Sequence, residues 1–261
     1  MPSIHSYVEL VKLILAESVK YFALLLIVVL AIRLWRRLPK LPGGKKIGNL
    51  VLAGFATVLA MGIGYFSICH SMSLMYSYFG MQSFHAYKLE SALSLFQDSL
   101  DYRRNADALG GKGICLLWTG QVADGLRTLE KARMLRKGKA SPFESFYEGM
   151  YFFYQADTTN AVPLLEAASA SPDFQWGVTK LFAVIQLDWN RPQEAAQLMQ
   201  PYLKAEVTEA DQAYVIASLW LADGKKSEAL SLANRFLTNS PTLFWQARFE
   251  KLRARIQEQK S

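Results

Sequence analysis

Two series of small residues run in step along the C-terminal two thirds of this chain. Gly80, Gly113, Gly149, Ala183 and Ala217 form one, and Ala92, Gly125, Ala161, Ala195 and Ala229 form the other; successive spacings in both are 33, 36, 34 and 34. A recurrence of this length held over two series is the mark of a repeat architecture. Four positions after each member of the second series stands Phe96, Leu129, Leu165, Met199 or Ala233, and seven positions after it Ser99, Ala132, Ala168, Tyr202 or Phe236. Offsets of four and seven keep one helical face turned inward, so each unit reads as a pair of helices. One such pair cannot cover its own apolar face, and the units must stack.

The segments "YFGMQSFHAYKLESALSLFQDSL", "MYFFYQADTTNAVPLLEAASASP" and "SLWLADGKKSEALSLANRFLTNSP" carry the pattern most clearly. In them the chain resembles the tetratricopeptide repeat (TPR) family. The turn residue between paired helices stands as Gly120, Asn190 and Gly224, and the helix-ending proline as Pro172 and Pro241. Tyr87 stands where the turn glycine is usual, and Arg104 and Lys137 where proline is common. The resemblance implies an all-α fold: a TPR-like right-handed α-solenoid of about five helix pairs over residues 73–243, lined on its inner surface by the first helices. Residues 244–261 follow as a C-terminal capping helix, with Phe244, Trp245, Phe249, Leu252 and Ile256 facing the last unit and charges outside.

The family's inner-helix positions, carried over one by one, supply the expected partner-binding groove. They fall on Phe84 in the first unit, on Ile114 and Leu117 in the second, and on Phe143, Phe146, Met150 and Phe153 in the third. The fourth unit gives Lys180, Val184 and Leu187, and the fifth Tyr214 and Leu221. Chaperone-adaptor members of the family clamp a C-terminal carboxylate with several Lys and Asn in these places; here only Lys180 fits. The resemblance therefore implies an apolar or amphipathic helix, or an aromatic-containing peptide, as ligand. The competing reading is that "SPFESFYEGMYFFY" is aromatic because it packs against its own neighbours.

The N-terminal quarter has a different chemistry. Residues 47–87 contain no Lys, Arg, Asp or Glu, and the stretch "LILAESVKYFALLLIVVLAIRLW" precedes them. Two transmembrane helices are expected, over about 13–35 and 47–69, within an N-terminal hairpin of residues 1–72. The basic loop 36–46 joins them, and Arg33, Arg36, Arg37, Lys40, Lys45 and Lys46 hold it in the cytoplasm by the positive-inside rule. The repeats then lie on the other side, in the periplasm of a bacterium with the hairpin in its inner membrane. Ala56, Ala60 and Gly64 recur on one face of the second span, where small side chains let another helix approach closely.

Charge removes one class of function. Residues 1–46 hold eight Lys/Arg against two acids, whereas residues 88–261 hold 21 basic and 20 acidic residues, so the repeats are nearly neutral and nucleic acid is not expected as a partner. Gly43-Gly44-Lys45 lacks phosphate-loop spacing. Cys69 and Cys115 show no metal-ligand spacing and read as buried apolar thiols. The three histidines have no second ligand, and Glu144 with Glu148, and Asp107 with Asp211, read as solvated helix positions. No catalytic residue, metal or cofactor is expected. Two functions fit: a membrane-anchored interaction scaffold or assembly subunit of a membrane complex, with protein partners and membrane lipid, or a peptide-binding holdase for exported or membrane proteins.

Overall fold

The computed structural model describes residues 25–29, 31–33, 35–36, 43–203, 206–238 and 242–258. The expected first span, 13–35, lies mostly outside these, as do Arg37 and Lys40; residues 25–29, 31–33 and 35–36 are helical. Eleven helices follow: α1 (Gly43–His85), α2 (Leu89–Tyr102), α3 (Ala106–Trp118), α4 (Val122–Leu135), α5 (Pro142–Tyr154), α6 (Thr158–Ser169), α7 (Pro172–Asp188), α8 (Pro192–Met199), α9 (Ala210–Ala222), α10 (Lys226–Thr238) and α11 (Leu243–Glu258). No strand occurs among the described residues. The chain divides into two compact units, Met1–Cys115 and Leu116–Ser261.

Both small-residue series are buried at every position, and so are Phe96, Leu129, Leu165, Met199 and Ala233 four residues on. The reason is visible at Gly80 and Gly149. A Cβ on Gly80 would lie 2.9 Å from the Phe96 ring, and one on Gly149 would lie 3.0 Å from Leu165, so the small residue of the first helix makes room for the bulky residue of the second. Helices pair as α1 with α2, α5 with α6, α7 with α8 and α9 with α10. In the second unit the first helices also stack in a row, α5 on α7 on α9 on α11.

The turn inside each pair places one residue in the left-handed region: Tyr87 (φ 57°), Gly120 (φ 85°), Ala156 (φ 58°), Asn190 (φ 59°) and Gly224 (φ 78°). These five positions repeat the spacing of the two series. Helix starts are marked by Pro142, Pro172 and Pro192 in the first turn, where the missing N–H costs nothing. Pro172 thus opens α7; Pro241 lies outside the described residues.

The structure differs from the sequence reading in the extent of α1 and in the setting of Glu144 and Glu148. The helix of the expected second span does not stop near residue 69: α1 runs 43 residues without a break through the expected boundary at 72–73, and its start takes in Lys45 and Lys46 of the expected loop. No Gly-Pro break or charge occurs between the span and the first repeat helix, so nothing ends the hydrogen-bond ladder there. Glu144 and Glu148 are buried and not solvated. Glu144 closes a capping box with Ser141 and pairs with Arg136 at 2.6 Å, and Glu148 pairs with Arg133. Burial pushes the Glu148 carboxyl above the ordinary carboxylate range, although Arg133 opposes this.

α1 divides by face. Ala53, Ala60, Gly64 and Ser67 are buried and Ala56 half-buried, while Phe55, Val58, Met61, Tyr65 and Phe66 are exposed. On the same helix Thr57 Oγ1 accepts a hydrogen bond from Trp35 Nε1 at 3.1 Å. From Leu50 onward, α1 is long and apolar enough to cross a membrane, and it is the one helix among the described residues that is. Cys115 is fully buried, and burial pushes its thiol up to about 12.

Candidate partner-binding site

Ile114, Leu117, Phe153 and Val184, four of the expected groove residues, are buried to 1% exposure or less, and Phe84 is at 6%. They pack inside and do not line an open surface. Phe146 stacks on Phe174 with centroids 5.0 Å apart and presses on Gly177, where a Cβ would lie 2.7 Å from its ring. Phe143 lies 4.8 Å from Tyr147, and Met150 is half-buried. The aromatic run of α5 is largely satisfied by its own neighbours.

Lys180, the single residue that fitted a carboxylate clamp, is 4% exposed and already neutralised. Its ammonium pairs with Glu209 and with Asp211 at 3.1 Å, and it lies 4.9 Å from the Trp176 ring centre. Asp211 is therefore an ion-pair partner of a buried lysine, not a solvated helix position.

An open cavity remains where the row of first helices ends. It has a volume of about 670 Å³ and is lined from α7 by Leu187 and Asp188, from α9 by Tyr214, Ser218 and Leu221, and from α11 by Phe244, Ala247, Arg248, Lys251, Leu252 and Arg255. Three expected groove residues, Leu187, Tyr214 and Leu221, meet there. The apolar wall is built from them with Phe244 and Leu252; α11 supplies the cations Arg248, Lys251 and Arg255, α7 the carboxylate of Asp188 and α9 the hydroxyl of Ser218.

α11 puts two faces to different uses. Trp245, Phe249, Leu252 and Ile256 are buried, as expected of a cap. The neighbouring face, with Phe244, Arg248, Lys251 and Arg255, turns to the cavity. Arg248 grips the end of α7 with two hydrogen bonds to Asp188, at 2.8 and 2.7 Å. Its guanidinium lies 4.8 Å from the Phe244 ring centre and 5.5 Å from those of Phe153 and Tyr214. Burial pulls the Arg248 pKa down, but the hydrogen bonds and charge of Asp188 outweigh it and raise the net value. Lys251 and Arg255 are exposed, and no described carboxylate pairs with either. The cavity thus joins an apolar wall to two uncompensated cations one helical turn apart, an arrangement that accepts an anionic group on an apolar segment.

The cations of α11 were missed because that helix was expected to show its charges to solvent. One signal was present: continuing the spacing of 34 from Ala217 reaches Lys251, so α11 occupies the place of another first helix, with lysine at the small-residue position.

No protein-family profile matches the chain. No curated protein matches it either. Among solved structures, a MamA mutant is similar with a TM-score of 0.44 and 19% identity, covering 69% of this chain and 96% of its own. The thermophilic TPR protein TTC0263 from Thermus thermophilus is similar with a TM-score of 0.47 and 18% identity, covering 69% of this chain and 98% of its own. The helix-pair architecture rests on the register and packing described above.

Proposed function

We propose that the chain is a membrane-anchored, TPR-like interaction scaffold that docks an acidic segment of a protein partner at the end of its row of first helices. The observation that carries this reading is the cavity between α7, α9 and α11, which sets Lys251 and Arg255 beside an apolar wall. An acidic, amphipathic helix of a membrane-complex subunit satisfies both halves: its apolar side covers the half-buried Leu187 and Phe244, and its carboxylates pair with the two cations.

Membrane anchoring is supported by the exposed apolar face of α1, by the absence of charge over residues 47–87, and by the Trp35 to Thr57 hydrogen bond, which suits a hairpin of two spans. In this reading the Ala60 and Gly64 face closes the hairpin itself, the basic loop stays in the cytoplasm, and the helix pairs work on the opposite side of a bacterial inner membrane. Both readings draw on a broad apolar groove; with Ile114, Leu117, Phe153 and Val184 buried, the cations beside the α11 cavity favour one acidic partner over many apolar ones.

The test is photocrosslinking. A benzoylphenylalanine at Ser218, on the cavity wall, should trap one dominant partner through an acidic stretch in cells, and Lys251→Glu with Arg255→Glu should abolish the product. A smear of many weak products that ignores the charge reversal would favour the holdase and defeat the scaffold reading.

A further inference from the structure

The turn between α2 and α3 carries Arg103, Arg104 and Asn105, and it is fastened to the side of α1 at one level. Asn105 Nδ2 donates to Ser73 Oγ at 2.6 Å and to Ser99 Oγ at 3.1 Å, and its Oδ1 accepts from Ala108 N at 2.6 Å. Ser99 Oγ in turn donates to the Ser73 carbonyl at 2.7 Å. The Tyr102 ring stacks on Tyr76 with centroids 5.6 Å apart. From this fixed base the Arg103 side chain reaches along α1: one guanidinium nitrogen lies 2.6 Å from His70 Nδ1, and the guanidinium carbon 4.8 Å from the Phe66 ring centre.

His70 is where the chemistry of α1 changes. Over Leu50 to Cys69 the side chains with a hydroxyl are Thr57, Tyr65 and Ser67 and none carries an amide or an imidazole, whereas His70, Ser71, Ser73, Ser77, Gln82 and Ser83 follow. Twenty residues of helix span about 30 Å, the thickness of the hydrocarbon layer. Arg103 is therefore held at the end of the apolar span, with its charge laid on the Phe66 ring and the stacked Tyr76 and Tyr102 rings at the base of its turn. A guanidinium is costly inside hydrocarbon and strongly held at the level of lipid phosphates. Arg104 beside it is exposed, and neither arginine has a carboxylate partner among the described residues; Asp101, the adjacent acid, is engaged by Gln97 at 2.7 Å.

We infer that Arg103 and Arg104 form a clasp for the phosphate of a phospholipid headgroup, seating the α2–α3 turn on the membrane surface. His70 orients the Arg103 fork by occupying one of its donors, leaving the others for phosphate oxygens. This inference rests on the membrane reading of α1 and is independent of the cavity at α11.

The full chain would be placed in phosphatidylglycerol nanodiscs and in maltoside micelles, which carry no phosphate, and backbone hydrogen exchange read over residues 102–106 and 50–69. The expected result is exchange at the turn slowed about tenfold in nanodiscs relative to micelles, as a charge-assisted phosphate contact implies. Arg103→Gln with Arg104→Gln should erase the slowing while leaving 50–69 protected. Arg104→Gln alone, at an exposed position, should remove about fivefold of it and keeps the test open if the double variant misfolds. Equal exchange at the turn in the two media, or slowing that survives both substitutions, would overturn the clasp. Slowing in micelles on adding inorganic phosphate would assign the site to a soluble anion and overturn the lipid source. Release of the wild-type chain from membranes by alkaline carbonate would overturn the membrane reading instead, and is read separately.

Discussion

At the scale of single residues, the repeat works by trading volume between paired helices. Phe96 fills the space left by Gly80 and also that left by Gly111, where a Cβ would lie 2.2 Å from its ring. Gly111→Ala should lower stability by about 1–3 kcal/mol through overpacking, read from the thermal melting of the full chain. Phe96→Leu in the same background should restore part of that loss, because it vacates the volume the new methyl needs. Glu148 makes a pH-dependent contribution of known sign. Its folded pKa lies above the unfolded value, so the folded state holds the proton more tightly, and the contribution to stability is present at acid pH and is lost as pH rises through the folded pKa. Relative to Glu148→Gln, the wild type should become progressively less stable from about pH 4 upward, measured as the difference in Tm across a pH series. A flat difference would mean that Arg133 holds Glu148 at its unfolded value.

At the scale of elements, turns and caps decide how well each helix pair closes. Ala156 occupies the left-handed position that Gly120 and Gly224 fill in sister units. A Cβ is disfavoured there by about 1–2 kcal/mol, partly offset by the greater chain entropy of glycine. Ala156→Gly should therefore stabilise by up to about 1 kcal/mol in chemical denaturation. The helix pairs were legible because volume is written into the sequence directly: small residues recurring in step in both helices, with a bulky one four positions after the second, admit few packings. Positive φ was legible at Gly120, Asn190 and Gly224 and invisible at Ala156, since alanine advertises nothing. The groove was less legible. Phe146 and Phe153 are aromatic in either case, and only the three-dimensional register shows that Phe174, Gly177 and Phe244 already meet them. Charge misled in α11, where Arg248 turns inward to Asp188. Arg248→Ala should loosen that helix, raising hydrogen exchange over residues 243–258 at least about tenfold while the exchange of α5 and α6 changes little, since two charge-assisted bonds are lost from one end of the row.

At the scale of the whole molecule, charge is partitioned: a surplus of six positive charges precedes residue 47, none of either sign follows through residue 87, and the rest is balanced. If the hairpin spans a membrane, neutralising Arg33, Arg36, Arg37, Lys40, Lys45 and Lys46 together should scramble its orientation, seen as a mixed signal from compartment-specific reporters fused after Ser261. An unaltered single orientation would show that something other than the loop sets topology. The first repeat helix is also no separate part, because α1 continues 43 residues from Gly43 to His85 without a break. A module on a floppy tether wanders through a volume and meets its target at a concentration fixed by tether length. A module grown on a rod of about 65 Å does not wander. If α1 spans a membrane, the first helix pair is held at a set height above it, and α1 acts as its ruler.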